Sequence, residues 1–163
     1  MRTFLLGVVL VVVCSLPVAA QDHPRAEFFG GYQFTHLQPD INANGWNASI
    51  AGNINSWFGV AADFSGAYKN GGKLHTVMAG PVFSIRKSDK ITPFAHVLLG
   101  GSWASGGGIT TNAFTTALGG GLDLKVNEHM AVRLVQADWL LFHSEGETVK
   151  KNARVSAGIV FRF

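Results

Sequence analysis

From residue 26 onward, apolar and polar positions alternate with a period of two, in segments separated by turn-forming residues. In 26–35, AEFFGGYQFT, one face carries Phe28, Gly30, Tyr32 and Phe34, and the other Glu27, Phe29, Gly31, Gln33 and Thr35. In 46–55, Trp46, Ala48, Ile50, Gly52 and Ile54 oppose Asn47, Ser49, Ala51, Asn53 and Asn55. In 57–68, Phe58, Val60, Ala62, Phe64 and Tyr68 oppose Trp57, Gly59, Ala61, Asp63 and Ser65. A helical period of 3.6 residues does not fit these segments. Further segments at 74–86, 91–101, 113–125, 130–141 and 153–163 follow the same rule, which makes eight predicted strands.

Two positions disturb the pattern. Pro81 removes a ladder donor from the fourth strand and predicts a bulge or weakened pairing there. In the seventh strand Arg133 falls on the face opposite Gln136 and Asp138, which requires either a bulge between them or an arginine that snorkels to an interface. The connections alternate in length. Those at 55–56, 87–90 and 126–129 are short, whereas 36–45, 69–73, 102–112 and 143–152 are mostly longer and polar. Short turns at one end and longer loops at the other are the pattern of outer-membrane barrels, in which the short turns are periplasmic.

The first twenty residues read differently. Arg2 supplies a positive start, 4–13 are apolar, and Val18-Ala19-Ala20 offers a small-residue cleavage site. The segment 1–20 is read as a cleaved secretory signal, since its apolar run is too short for a membrane span and is broken by Pro17. It contains the only cysteine, Cys14, so the mature chain 21–163 can form no disulfide and needs another source of stability. The 163 residues make one domain, 47% apolar and 14% charged, with 20 glycines and a mean hydropathy of +0.22. These values exclude a disordered chain and argue against a helical bundle. The net charge of +3 is too small and too scattered to point to nucleic acid.

The direction of the two faces decides the solvent. The more polar face carries Glu27, Asp63, Arg86, His96, Asp123, Asp138, Arg154 and Arg162. Acids and bases occur together there and can pair within a narrow lumen, where unpaired charges are costly. The other face is nearly free of charge. A water-exposed wall of Phe, Val, Ile and Leu would exceed the patch that a soluble monomer tolerates. The apolar face is therefore expected to meet lipid, with Tyr32, Phe34, Trp46 and Tyr68 near the outer strand ends and Phe58, Phe161 and Phe163 near the periplasmic ends.

The chain closes with SAGIVFRF, in which Ser156, Gly158, Phe161 and Phe163 fit a polar–x–Gly–x–x–aromatic–x–aromatic pattern. This resembles the terminal assembly signal of bacterial outer-membrane proteins. Together with AEFFGGYQF and GGGLDLKV, it makes the chain resemble the small OmpA-like/OmpX-like family of eight-stranded barrels over essentially all of 21–163. The resemblance implies outer-membrane lipids as surroundings and the export and barrel-assembly machinery as partners during biogenesis. It implies a monomer, with a possible surface ligand held by the outer loops. A periplasmic peptidoglycan-binding domain, as in full OmpA-like proteins, is not expected.

Candidate chemistry is sparse. His143-Ser144-Glu145, with Glu147, is the best hydrolase-like grouping, but neighbours on a strand point apart, and a hydrated loop is the better reading. His96 with Asp63 or Asp123 is read as part of an interior polar network. His23, His36, His75 and His129 lack metal-ligand spacing. The glycine runs at 100–101, 106–108 and 119–121 are not a phosphate loop; the two in strands, 100–101 and 119–121, serve lumen packing and the middle one loop flexibility.

The sequence therefore predicts an all-β, eight-stranded antiparallel up-and-down transmembrane barrel in a Gram-negative outer membrane. No cofactor, metal or catalytic residue is expected. The expected role is structural or surface interaction, through mobile outer loops and with Trp103 as the one aromatic loop-tip candidate. A narrow porin is the alternative, with Gly59, Ala61, Gly119, Gly121 and Gly158 leaving room for water, and a lipid-modifying barrel enzyme is less favoured. The face assignment is testable by denaturant unfolding in vesicles. Leu122→Arg or Val97→Arg is expected to lose about 2–4 kcal/mol at the bilayer midplane, and Ser65→Thr far less. Equal losses contradict the assignment.

Overall fold

The computed structural model describes residues 23–144 and 147–163. The leader 1–20 with Cys14, and Glu145 of the hydrolase-like grouping, lie outside the described residues. The rest forms β1 (Ala26–Leu37), β2 (Ile41–Asn53), β3 (Phe58–Lys69), β4 (Gly72–Ser84), β5 (Ile91–Gly106), β6 (Ile109–Asn127), β7 (Met130–Ser144) and β8 (Glu147–Arg162). Each strand is antiparallel to the next, and β8 returns to pair with β1 from Glu27↔Arg162 to His36↔Ala153, so the barrel closes. The last residue fastens the seam: the Arg25 and Ala26 amides donate to the Phe163 carbonyl at 2.6 and 3.0 Å, and the Phe163 amide donates to Ala26 at 2.9 Å. A closed barrel leaves no open sheet edge.

The strands run further than the polarity pattern suggests. At the end away from the termini, the described connections are residues 38–40, 70–71 and 107–108, so three of the expected long loops are hairpin turns. Asn70 and Gly71 both have positive φ, 47° and 83°, as do Gly107 and Gly108 at 59° and 84°. Both pairs make the two-residue hairpin in which positive φ at the central positions matches strand twist. The glycine run at 106–108 thus serves turn geometry. Trp103 is no loop tip: it lies within β5, opposite His75 on β4 and Asn112 on β6.

Pro81 and Arg133 resolve separately. The β4–β5 ladder lacks the rungs at 80 and 81, but Ala79↔Leu99 and Val82↔His96 keep one register, so pairing is interrupted without a bulge. In β7 the register against β6 changes between Leu122↔Val135 and Asp123↔Arg133, which leaves Leu134 as an extra residue. Leu134 and Val135 both face outward, while Arg133 and Gln136 are both buried. A bulge, and not snorkelling, therefore carries Arg133 to the inside.

The barrel is inverted relative to a soluble one. Outward positions on every strand carry exposed apolar side chains, including Phe28, Ile50, Val60, Val77, Val97, Leu118, Val135 and Ile159. Inside, an apolar layer of Ala61, Met78, Leu98, Ala117 and Leu140 fills one part, and Phe29, Ala131 and Val160 another. Most other buried side chains are polar. The bulge gives a direct test by heat-dependent gel mobility of refolded protein. Deletion of Leu134 is expected to preserve a folded barrel, because it restores continuous pairing. Deletion of Val132 turns the preceding inward and outward positions over and is expected to abolish folding.

Candidate functional site

The inward positions converge on one connected chain of ion pairs. Near the termini, Arg86 donates to both oxygens of Glu27, at 3.3 and 3.2 Å, and Arg162 Nε donates to Glu27 Oε1 at 2.8 Å. Arg162 also reaches Asp123 at 3.4 Å, and Asp123 accepts two bonds from Arg133, at 2.8 and 3.1 Å. Arg133 Nη1 donates to Gln136 Oε1 at 2.7 Å, and Gln136 Nε2 passes the chain to Asp138 at 2.9 Å. Asp138 accepts from Arg154 Nε and from His96 Nε2, each at 2.7 Å. Arg154 Nη1 donates to Asp63 Oδ1 at 2.7 Å, and Asn47 Nδ2 caps Asp63 at 2.8 Å.

The eight charged or imidazole residues of the polar face are thus joined in a single network. Arg133, Gln136 and Asn47 complete it, and His96 binds Asp138 where Asp63 or Asp123 was expected. Four carboxylates (Glu27, Asp63, Asp123, Asp138) meet four guanidiniums (Arg86, Arg133, Arg154, Arg162), so the charges balance when His96 is neutral. The Arg133 guanidinium is also sandwiched between the Phe29 and Phe94 rings, 4.4 and 4.2 Å from their centroids. Two aromatics with polar-face parity were the available signal for this stacked cation. Gly119 faces Asp138 so closely that an added Cβ would collide with Oδ1 and the Ala137 carbonyl. A side chain at 119 would displace the carboxylate that both Arg154 and His96 hold.

A cavity of about 30 Å³ lies beside the network, between Asp63, Phe94, His96, Asp123 and Arg133. That holds a water or two, since each needs roughly 10–15 Å³ on this measure. Buried hydroxyl pairs, Ser65–Thr76 and Ser102–Thr115, both 2.7 Å apart, fill the lumen toward the far end. Of the terminal motif, Ser156 is buried inside, Gly158 lies against Gly31 of β1, and Phe161 and Phe163 face outward. Phe163 packs edge-on against Phe28 at 5.8 Å. His143 faces outward near Phe114, with ring centroids 6.1 Å apart. No group of three or more His, Cys, Asp or Glu among the described residues is arranged to hold a metal.

The network is strongest where it is driest. Arg154 is 1% exposed and bridges carboxylates from two other strands. Removing one partner of a buried ion pair costs about 3–5 kcal/mol, because the others are left charged and desolvated. Arg154→Leu is therefore expected to lower the free energy of unfolding by about 3–5 kcal/mol. Adding Asp63→Asn should recover part of that loss. Denaturant midpoints of the single and double variants check both.

No protein-family model matches the chain, and no curated protein sequence matches it. Solved structures do match. Ail, the attachment invasion locus protein of Yersinia pestis, solved in complex with the heparin analogue sucrose octasulfate, aligns over 86% of this chain and 99% of its own, at TM-score 0.57 and 19% identity. Neisserial surface protein A aligns over 85% and 96%, at TM-score 0.64 and 13% identity. The outer membrane protein OprG from Pseudomonas aeruginosa aligns over 90% and 99%, at TM-score 0.64 and 8% identity. By fold, this chain matches the eight-stranded antiparallel barrels of known small outer-membrane proteins.

Proposed function

We propose that the chain is an integral outer-membrane β-barrel with a structural or surface-contact role and a lumen closed by its own side chains. The observation that carries this reading is the inversion of polarity: exposed apolar side chains around the whole circumference, and a balanced ion-pair network inside. In water such an exterior is untenable; in a bilayer it is what the solvent requires. The cavity beside the network holds a water or two, which is no water file. The far-end hairpins, β5–β6 above all, are the parts available for surface contact, because β5 and β6 run on from Trp103 and Asn112 as a mostly polar, exposed ribbon.

On this reading residues 1–20 are a cleaved export signal. The partners are outer-membrane lipids and, during biogenesis, the export and barrel-assembly machinery. Ser156, Gly158, Phe161 and Phe163 form the terminal assembly signal, a last strand offered for β-augmentation. The barrel acts as a monomer and performs no catalysis.

Single-channel recording of the refolded mature protein in a planar bilayer tests the closed lumen, with folding checked first by heat-dependent gel mobility. A folded, silent barrel is the expected result. Stable, salt-dependent current steps would replace this reading with a narrow porin. Substitution Phe163→Ser is expected to reduce the amount assembled in cells several-fold while leaving refolding in detergent nearly unchanged. Equal losses in both assays would make Phe163 a packing residue only.

A further inference from the structure

One row of outward side chains at the far end of β2–β5 breaks the apolar exterior. Register places Trp46 opposite Gly66, Gly66 opposite His75, and His75 opposite Trp103, so the row crosses four strands at one level. Gly66 leaves room for its neighbours to meet: a Cβ there would lie 2.7 Å from both Trp46 Nε1 and the Tyr68 hydroxyl oxygen. Across this gap Trp46 Nε1 donates to the Tyr68 hydroxyl at 3.2 Å, and that hydroxyl lies 3.1 Å from His75 Nε2. An indole N–H can only donate. The Tyr68 hydrogen is free to donate to His75 Nε2, and in that arrangement the His75 hydrogen sits on Nδ1. No described protein acceptor takes that hydrogen.

Lys73 stands two residues along β4 on the same outward face, about 6.5–7 Å away by strand geometry, opposite Tyr68 and Ser105. Its ammonium is exposed. The outward positions of β2–β5 contain no Asp or Glu. Directly below the row lie Phe64 and Val77, exposed and apolar, with Leu99 one level further down. A cation, an N–H donor and two indoles are thus set where the apolar belt ends. That is the level of lipid headgroups, where aromatic and cationic side chains anchor.

We propose that Lys73, His75, Tyr68, Trp46 and Trp103 form a binding site for the phosphate-bearing headgroup of one outer-leaflet lipid. The inference rests on the membrane reading above. Lys73 and the His75 Nδ1–H bind the phosphate oxygens, the two indoles flank the headgroup, and Tyr68 is a positioning residue that acts through His75.

The test uses the refolded mature chain with Trp57→Phe and Trp139→Phe, so that only Trp46 and Trp103 emit. Quenching is measured in phosphatidylcholine vesicles containing brominated phosphatidic acid or brominated phosphatidylcholine. Phosphatidic acid is expected to be favoured about fivefold, the size of one interfacial cation's attraction. Lys73→Gln should remove most of that preference, and Tyr68→Phe about half of it with Lys73 intact. Lys151→Gln, on β8, should leave it unchanged. Equal quenching by both lipids overturns the site while leaving the membrane reading standing; no quenching by either overturns the membrane reading itself. A preference that survives Lys73→Gln with Tyr68→Phe, or falls equally with Lys151→Gln, removes the assignment to this row. Displacement by inorganic phosphate would assign the pocket to free phosphate and overturn the lipid occupant.

Discussion

An arginine cannot be buried alone, and the barrel is organised around one that is not. Arg154 on β8 lies between Asp63 of β3 and Asp138 of β7. Desolvating each of these ions costs several kcal/mol, and only close mutual contact offsets it. The contact exists only if the strands sit in one register and the sheet closes, since a slip of one residue sends an inward charge to the outer wall. The ion pairs are therefore better understood as a specification of register and closure than as a source of net stability. The exterior adds the complementary constraint. Apolar side chains alternating with those charges leave one arrangement that satisfies both solvents.

The bulge in β7 shows how strictly this is kept. Regular alternation would place Arg133 on the wall opposite Gln136. An extra residue, Leu134, shifts the strand by one and brings both inside. Arg133 then bridges Asp123 and Gln136 while its guanidinium lies between Phe29 and Phe94. The local disturbance of the ladder is accepted because it joins the network near the termini to the part around Arg154.

How much of this was legible follows from where each signal is local. Facing is local: period-two alternation assigned Glu27, Asp63, Asp123 and Arg154 to the inside because each contrasts with the apolar residues beside it. Partners are not local, so the pairing of His96 with Asp138, 42 residues away, could not be read. The far-end turns were obscured by a different cause. Beyond the apolar belt a strand can be polar on both faces, so Asn42 and Asn44 look like loop although β2 begins at Ile41. Asn70-Gly71 did carry a hairpin signal, which the polar residues around it diluted. The hydrogen-bonded row at Trp46, Tyr68 and His75 was invisible for the same reason as the ion pairs, since it exists only across strands.

The ion pairs also bear on the chain before it folds. Glu27 and Arg162 are 135 residues apart, and Asp63 and Arg154 are 91. None of these contacts can form early, and such long-range closure is intrinsically slow. During that delay the same charges remain hydrated and recur among the apolar positions, so no stretch after residue 20 becomes continuously oily. The residues that later seal the interior would thus first serve as solubilising spacers, keeping an exported chain from collapsing or lodging in the wrong membrane while it waits to be assembled.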